Sequence, residues 1–298
     1  MTNRRRFVQA AGAAFVGFGL LGRSDGVRAA ASPNEKFTED LKKLEVESGG
    51  RLGVSLLDTA TGIQIGHRLD ERFPMCSTFK VLAAGAILSR VDAGKEDLER
   101  RVRFSEADLV TYSPVTKDRT GGAGMSVAEL CAAALTLSDN TAGNLLLASL
   151  GGPSNLNAFV RTLGDQTTRL DRIEPDLNEA LNGDPRDTTT PNAMASNLRS
   201  LALGEVLSAA SRDRLAEWLL ANKTGDKRLR AGFPAGWRVG DKTGSGSRGT
   251  ANDVAVIWPP QRAPVIASVY LTAAAGAGDQ QSATIAAVGR SIADIIGH

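Results

Sequence analysis

The period of the apolar residues changes twice along the chain, and this ordering constrains the fold more than any other feature. Near the amino end Leu52, Val54 and Leu56 alternate with smaller or polar neighbours, Asp58-Thr-Ala-Thr-Gly62 turns, and Ile63 and Ile65 resume the alternation. A period of two broken by a turn is a hairpin. From about residue 74 to 222 the pattern becomes helical, punctuated by Gly and Pro. After Pro234 strands return, at 238–241, 254–258 and 265–272, and a last helix covers about 281–296. Another helix, over 35–47 with Phe37, Leu41 and Leu44 on one face, precedes the hairpin and stops at Gly49-Gly50. This order suggests one sheet assembled from both ends of the chain. The expected fold class is α+β, of the α/β sandwich type. An antiparallel five-stranded sheet is built from both chain ends with flanking helices, and an all-helical domain is inserted between them. The expected bounds are 32–68 and 223–298 for the α/β domain and 69–222 for the helical one.

Inside the helical block, 127–137 and 141–150 read as apolar helices, the second ended by Gly151-Gly152. Pro153 opens the next at the favoured first position and Gly164 closes it; 191–204 repeats that grammar. Ser211 is the expected cap of a helix running to about Asn222.

Charge separates the first 31 residues from the rest. The chain carries 35 basic and 33 acidic residues, a net charge of +2. Arg4, Arg5, Arg6, Arg23 and Arg28 face only Asp25 in the first 31, which leaves 30 basic and 32 acidic residues in 32–298. That near-neutral remainder gives no electrostatic case for nucleic acid. The amino end has the layout of an export signal: a basic start, an apolar run from Ala10 to Leu21, and Ala29-Ala-Ala31 before the expected cut. The run is too short to cross a bilayer as a helix. Arg4-Arg5-Arg6-Phe7 resembles the twin-arginine type of signal. A periplasmic or secreted protein is expected, with no membrane attachment after cleavage. The two histidines, His67 and His298, argue against histidine-pair chemistry, and Cys76 and Cys131 alone argue against a structural zinc site. No cofactor and no metal are expected.

The candidate chemistry begins at Ser77-Thr-Phe-Lys80. Val81 to Leu88 continues it as a helix apolar on all sides, hence buried, and the spacing puts Lys80 on the same face as Ser77. A helix start offers unpaired N–H groups to a developing oxyanion. A lysine takes a serine's proton only if burial or cationic neighbours keep its amine neutral. Alone, S-x-x-K is weak: a chain this long gives roughly one chance match. Ser138-Asp-Asn140, between two apolar helices, and Lys242-Thr-Gly244, after a strand-like run, are individually no stronger, since a cap and an edge strand look the same. The three together, in this order, form the motif set of the penicillin-recognising serine enzymes.

With these motifs residues 33–298 resemble the class A serine β-lactamases. Further matches are Arg172-Ile-Glu-Pro-Asp-Leu-Asn178, which looks like the family's omega-loop signature, Thr168-Arg-Leu-Asp171 and Arg186-Asp-Thr-Thr189 around it, the run from Pro234 to Gly244, and Ala251-Asn-Asp253. The resemblance implies hydrolysis of the β-lactam amide of penicillins and cephalosporins. Ser77 would be acylated, with Lys80 its proton-transfer partner. Ser138 would relay a proton to the β-lactam nitrogen. Glu174, with Asn178, would hold the deacylating water. Asn140 would bind the substrate's side-chain amide and orient Lys80. Lys242, Thr243 and Ser245 would bind its carboxylate. The N–H groups of Ser77 and Ser245 would form the oxyanion hole, and Tyr112 the aromatic wall of the cleft. Either Glu174 or Lys80 would be the acylation base. Arg172 and Asp187 would close the omega loop, 169–187, by an ion pair, and Glu174-Pro175 would be a cis peptide.

Two departures from the family pattern matter. Many members carry an arginine on the strand after K-T-G, where this chain has Ala251; Arg228 is expected to supply the guanidinium instead. Cys76 has Gly246 at its usual partner position and Cys131 has Ala84, so both cysteines are expected free and buried, and strong carbapenem hydrolysis is not expected. Ser245 and Ser247 would permit cephalosporin binding. The expected partner is a small β-lactam, met by a monomer. The alternatives are a D-alanyl-D-alanine peptidase or transpeptidase and a non-catalytic penicillin-sensing module.

Overall fold

The computed structural model describes residues 32–297; the expected export signal lies outside them. The first helix, α1 (Pro33–Ser48), starts on a reciprocal cap: the Ser32 hydroxyl accepts from the Glu35 N–H, and the Glu35 carboxylate accepts from the Ser32 N–H. It ends on Gly49 at φ +65, a left-handed position that suits glycine. Strands β1 (Arg51–Asp58) and β2 (Gln64–His67) form the expected hairpin. The chain then leaves the sheet for a block of six α-helices, returning as β3 (Arg238–Gly246), β4 (Thr250–Trp258) and β5 (Val265–Thr272) before the closing helix Gly278–Ile296.

The five strands lie in the order β2-β1-β5-β4-β3, and the β1–β5, β5–β4, β4–β3 and β1–β2 ladders are all antiparallel. Register pairs Arg51 with Thr272 and Asp58 with Val265, so the first and last strands lie side by side at the middle of the sheet. Both faces are covered. Leu52, Val54 and Leu56 join α1 and the terminal helix in one core through Phe37, Leu41, Ile285 and Ile292. Val254, Val256, Ile266 and Tyr270 face the other way, into a core shared with the helical block. Burial on both faces explains why β4 and β5 read as apolar runs instead of alternating.

Within the block, α2 (Phe79–Asp92) is the central helix, with Phe79 to Leu88 buried without a break. Around it lie α3 (Val127–Thr136), α4 (Asn140–Leu150), α5 (Pro153–Thr162), α6 (Pro191–Ala202) and α7 (Ala209–Leu220); the terminal helix is α8 (Gly278–Ile296). Four details differ from the sequence reading. Ser77 lies in a short 3₁₀ turn, Cys76–Thr78, that feeds α2, and not in the α-helix itself. The cap of α7 is Ser208, whose hydroxyl accepts from the Ser211 N–H, so Ser211 is the third helical residue instead of the cap. Strand β3 continues to Gly246, taking the whole K-T-G run into the sheet. The last helix begins at Gly278, three residues early.

Candidate active site

Ser77 lies between a buried cation and a buried carboxylate. Lys80 Nζ donates to Ser77 Oγ at 2.9 Å, and Ser77 Oγ donates to Glu174 Oε1 at 2.9 Å. Lys80 Nζ and Glu174 Oε1 also meet at 3.0 Å, with neither side chain exposed to solvent. Lys80 further donates to the Ser138 carbonyl at 2.8 Å and to Asn140 Oδ1 at 2.7 Å. Burial pushes the Lys80 ammonium below its ordinary range, and the Glu174 charge pulls the other way.

Ser138 stands between two lysines. Its carbonyl accepts from Lys80, and its hydroxyl accepts from Lys242 Nζ at 2.9 Å. Lys242, on β3, also donates to the Thr243 carbonyl at 2.6 Å. Burial, and then the positive charge of Lys80, holds Lys242 well below the lysine range. Neighbouring Asp139 organises the junction. It caps α4 through the Ala142 N–H, and it accepts from the Val115 and Thr116 N–H groups and the Thr116 hydroxyl, all at 2.8–3.0 Å. Asn140 is committed twice, to Lys80 through Oδ1 and to the Thr111 carbonyl through Nδ2 at 2.8 Å.

Glu174 is carried on the segment 169–187, whose ends are closed by charge. Arg172 Nε meets Asp187 Oδ2 at 2.6 Å, while Asp187 Oδ1 accepts from the Asp171 and Arg172 N–H groups. The Glu174-Pro175 peptide is cis. Asn178 Nδ2 donates to Glu174 Oε2, and the Asn178 carbonyl accepts from the Ser247 N–H at 2.9 Å, tying the segment to the β3–β4 turn. Asn144 holds Glu174 from the other side. Its Nδ2 donates to the Glu174 carbonyl and its Oδ1 accepts from the Glu174 N–H, both at 2.9 Å.

Over these buried groups opens a cleft of about 310 Å³, lined by Ser77, Tyr112, Ser138, Asn140, Asn178, Thr224, Arg228, Thr243 and Ser245. Arg228 is fixed by three bonds of 2.7 Å, from Nη1 to the Gly244 and Asn252 carbonyls and from Nη2 to Ser245 Oγ. Ala251 lies directly across the ladder from Ser245. Tyr112 is 58% exposed at the mouth, on a left-handed backbone of φ +64. Eight of the eleven side chains singled out in the sequence line this cleft, and Lys80, Glu174 and Lys242 join it from beneath through their bonds to Ser77 and Ser138. Both cysteines are free and buried, and burial raises both thiols. A Cβ at Gly246 would stand 2.7 Å from Cys76 Sγ.

Sequence reasoning missed Asn144, Asp139 as an organiser, and Thr224, whose hydroxyl meets that of Thr243 at 2.5 Å. Asn144 falls on the S-D-N helix one turn beyond Asn140, a spacing that could have flagged it.

Comparison with known proteins points the same way. The Beta-lactamase enzyme family matches residues 36–296. The chain is 48% identical to Beta-lactamase L2 of Stenotrophomonas maltophilia, over 100% of both chains. It is 54% identical to Beta-lactamase CTX-M-97 of Escherichia coli, over 78% of this chain and 80% of the relative. An ancestral (GNCA) class A β-lactamase structure superposes with a TM-score of 0.86 at 64% identity, covering 87% of this chain and 99% of that one. The chain belongs to the β-lactamase enzyme family, among its class A members.

Proposed function

We propose that the protein hydrolyses the β-lactam amide of penicillins and cephalosporins through an acyl-enzyme on Ser77, and so confers resistance to them. The observation that carries this reading is the Ser77 hydroxyl donating to Glu174 while accepting from Lys80, at a cleft lined by polar side chains and Arg228. Ser77 Oγ attacks the β-lactam carbonyl and its proton passes to the buried Lys80–Glu174 pair, each member of which lies 2.9 Å from it, so acylation survives the loss of Glu174. Lys80, which donates to Ser77, steadies the developing charge. The C–N bond breaks, and the proton taken from Ser77 passes through the Ser138 hydroxyl, held by Lys242 Nζ, to the nitrogen, so that the Lys80–Glu174 pair returns to its starting charge. Water then attacks the ester, and Glu174, with Asn178 as the second anchor, takes its proton and returns it to Ser77 Oγ, which leaves as the hydroxyl. A positioned base contributes about 10²–10⁴-fold to that step.

The N–H groups of Ser77 and Ser245 serve as the oxyanion hole. Thr243, Ser245 and Lys242, backed by Arg228, receive the substrate carboxylate; Asn140 orients the side-chain amide and Tyr112 lines the mouth. Glu174 beside Ser77 counts against a peptidase that stays acylated. The working protein is an exported monomer cut near Ala31, periplasmic or secreted. Its α/β domain is 32–68 with 223–298, and its helical domain is 69–222. Among the described residues no helix is long and apolar enough to cross a membrane.

The test uses a chromogenic cephalosporin and intact-mass analysis. Wild type turns over rapidly, and the Glu174→Ala variant accumulates a stable adduct on Ser77. Absence of turnover by wild type overturns the reading.

A further inference from the structure

Behind the Glu174-bearing segment, on the side away from Ser77, lies a second cavity of about 470 Å³. Residues 180–185 line it, together with Pro74, Thr188 and Thr272. The volume is in the range of small-molecule sites. Three arginines reach it, Arg51, Arg72 and Arg248, together with the carboxylates of Glu71 and Asp184.

The carboxylates are already committed. Glu71 accepts from Arg51 and Arg68 at 2.8 Å each, and the Arg186 fork holds Asp184 at 2.6–3.1 Å. Two of the cations are not. Arg72 is anchored by one bond, Nη1 to Thr188 Oγ1 at 2.9 Å, and the rest of its fork meets no carboxylate among the described residues. Arg248 sits on the β3–β4 turn at φ +56, and its guanidinium has no hydrogen bond or ion pair among the described residues. A cavity with apolar walls at Pro74, Leu181 and Ala273 and two uncommitted guanidinium forks matches an anion on an apolar body. One fork is held rigid by Thr188, so less ordering is required on binding.

We propose that this cavity is a second ligand site, separate from the catalytic cleft, that takes small amphipathic carboxylates through Arg72 and Arg248. Two sources share that chemistry: a hydrolysed β-lactam, which carries a new carboxylate, and an unrelated aryl or alkyl carboxylate. The site touches the catalytic machinery through short covalent and hydrogen-bonded paths. Residue 180 is two positions from Asn178, and Ser247, next to Arg248, donates to the Asn178 carbonyl. A bound carboxylate therefore braces the segment that holds Glu174.

The test measures binding calorimetrically with 2-naphthoate in one arm and benzylpenicilloate in the other. The proteins are wild type, Arg72→Ala/Arg248→Ala and, as a cleft control, Arg228→Ala. Saturable binding should weaken about tenfold or more in the double variant and persist in Arg228→Ala. Each ligand should raise the wild-type Tm but not that of the double variant. Hydrolysis by the double variant in the absence of ligand should match wild type, which separates this site from the assignment of the cleft. Binding of benzylpenicilloate alone assigns the site to product, and of naphthoate alone to other carboxylates. No saturable binding, or binding lost in Arg228→Ala and kept in the double variant, overturns the proposal.

Discussion

Replacing Asn144 with alanine should act on Glu174 without touching any group in the cleft lining. The Asn144 amide makes two bonds of 2.9 Å to the backbone of Glu174, one to its carbonyl and one from its N–H. Glu174 is 1% exposed, so neither backbone group finds ready water when the amide is removed. Each lost bond costs about 1 kcal/mol, and an orphaned buried group raises this to about 1–3 kcal/mol. Two such groups give about 2–6 kcal/mol, drawn from the docking of the 169–187 segment. Where the segment opens locally instead of with the whole chain, the global loss of stability is smaller than this. The kinetic consequence is selective: an undocked Glu174 cannot prepare the deacylating water, whose base is worth about 10²–10⁴-fold. Rapid-mixing kinetics with a chromogenic cephalosporin would show a burst followed by a slow steady state, and quenched samples would carry an acyl adduct by intact mass. Asn144→Asp keeps the acceptor and loses the donor, and should fall between. An Asn144→Ala enzyme with the wild-type steady state and no adduct would refute the clamp.

Three further outcomes are expected. Arg172→Ala strands the buried Asp187 carboxylate and should lower Tm by several degrees and slow deacylation, seen in a thermal melt and in adduct lifetime; an unchanged adduct lifetime would count against the closure. Glu45, although burial works the other way, is held down to about 2 from an ordinary 4.5 by Arg68 and His67. A lowered folded-state value gives stability that is full above about pH 4.5 and is lost as pH falls toward 2. Glu45→Gln should flatten that part of the melting profile, and an unaltered acid limb would contradict the assignment. Gly246→Cys places a Cβ 2.7 Å from Cys76 Sγ, and also 2.8 Å from the Asn178 carbonyl, so the turn must give slightly as a disulfide forms. Thiol titration of the oxidised variant in denaturant should then find only Cys131.

The sequence was most readable where a local rule and the long-range fold agreed. Phe79 to Leu88 is apolar on every side because α2 is surrounded on every side, and the same burial depresses Lys80. Leu52, Val54 and Leu56 alternate because the hairpin sets them all toward α1 and α8. The reading failed where tertiary contacts override local signals. The run 242–246 looks polar, yet it is strand, because Lys242 spends its charge on Ser138 and Thr243 inside the protein. Ser208 and Ser211 are equivalent as candidate caps in sequence, and both bond Asp92 on the distant α2, a partner that no local pattern reveals. Asn144 resembles any polar residue on a helix until the segment 169–187 folds across it. The second cavity is invisible in the same way, since Arg72 and Arg248 are 176 positions apart in the chain.

Strand β3 closes one side of the sheet, with β4 as its only neighbour among the described residues. An unpaired strand margin is ordinarily a hazard, because it offers backbone donors and acceptors to any extended chain that drifts past. Here Thr243 and Ser245 on that margin face Ser138 and Asn178 across the cleft, so the gap is roofed by the helical block. The free margin therefore opens onto a bounded cleft of about 310 Å³. The same margin that would be a hazard on an open sheet is here one wall of the candidate active site.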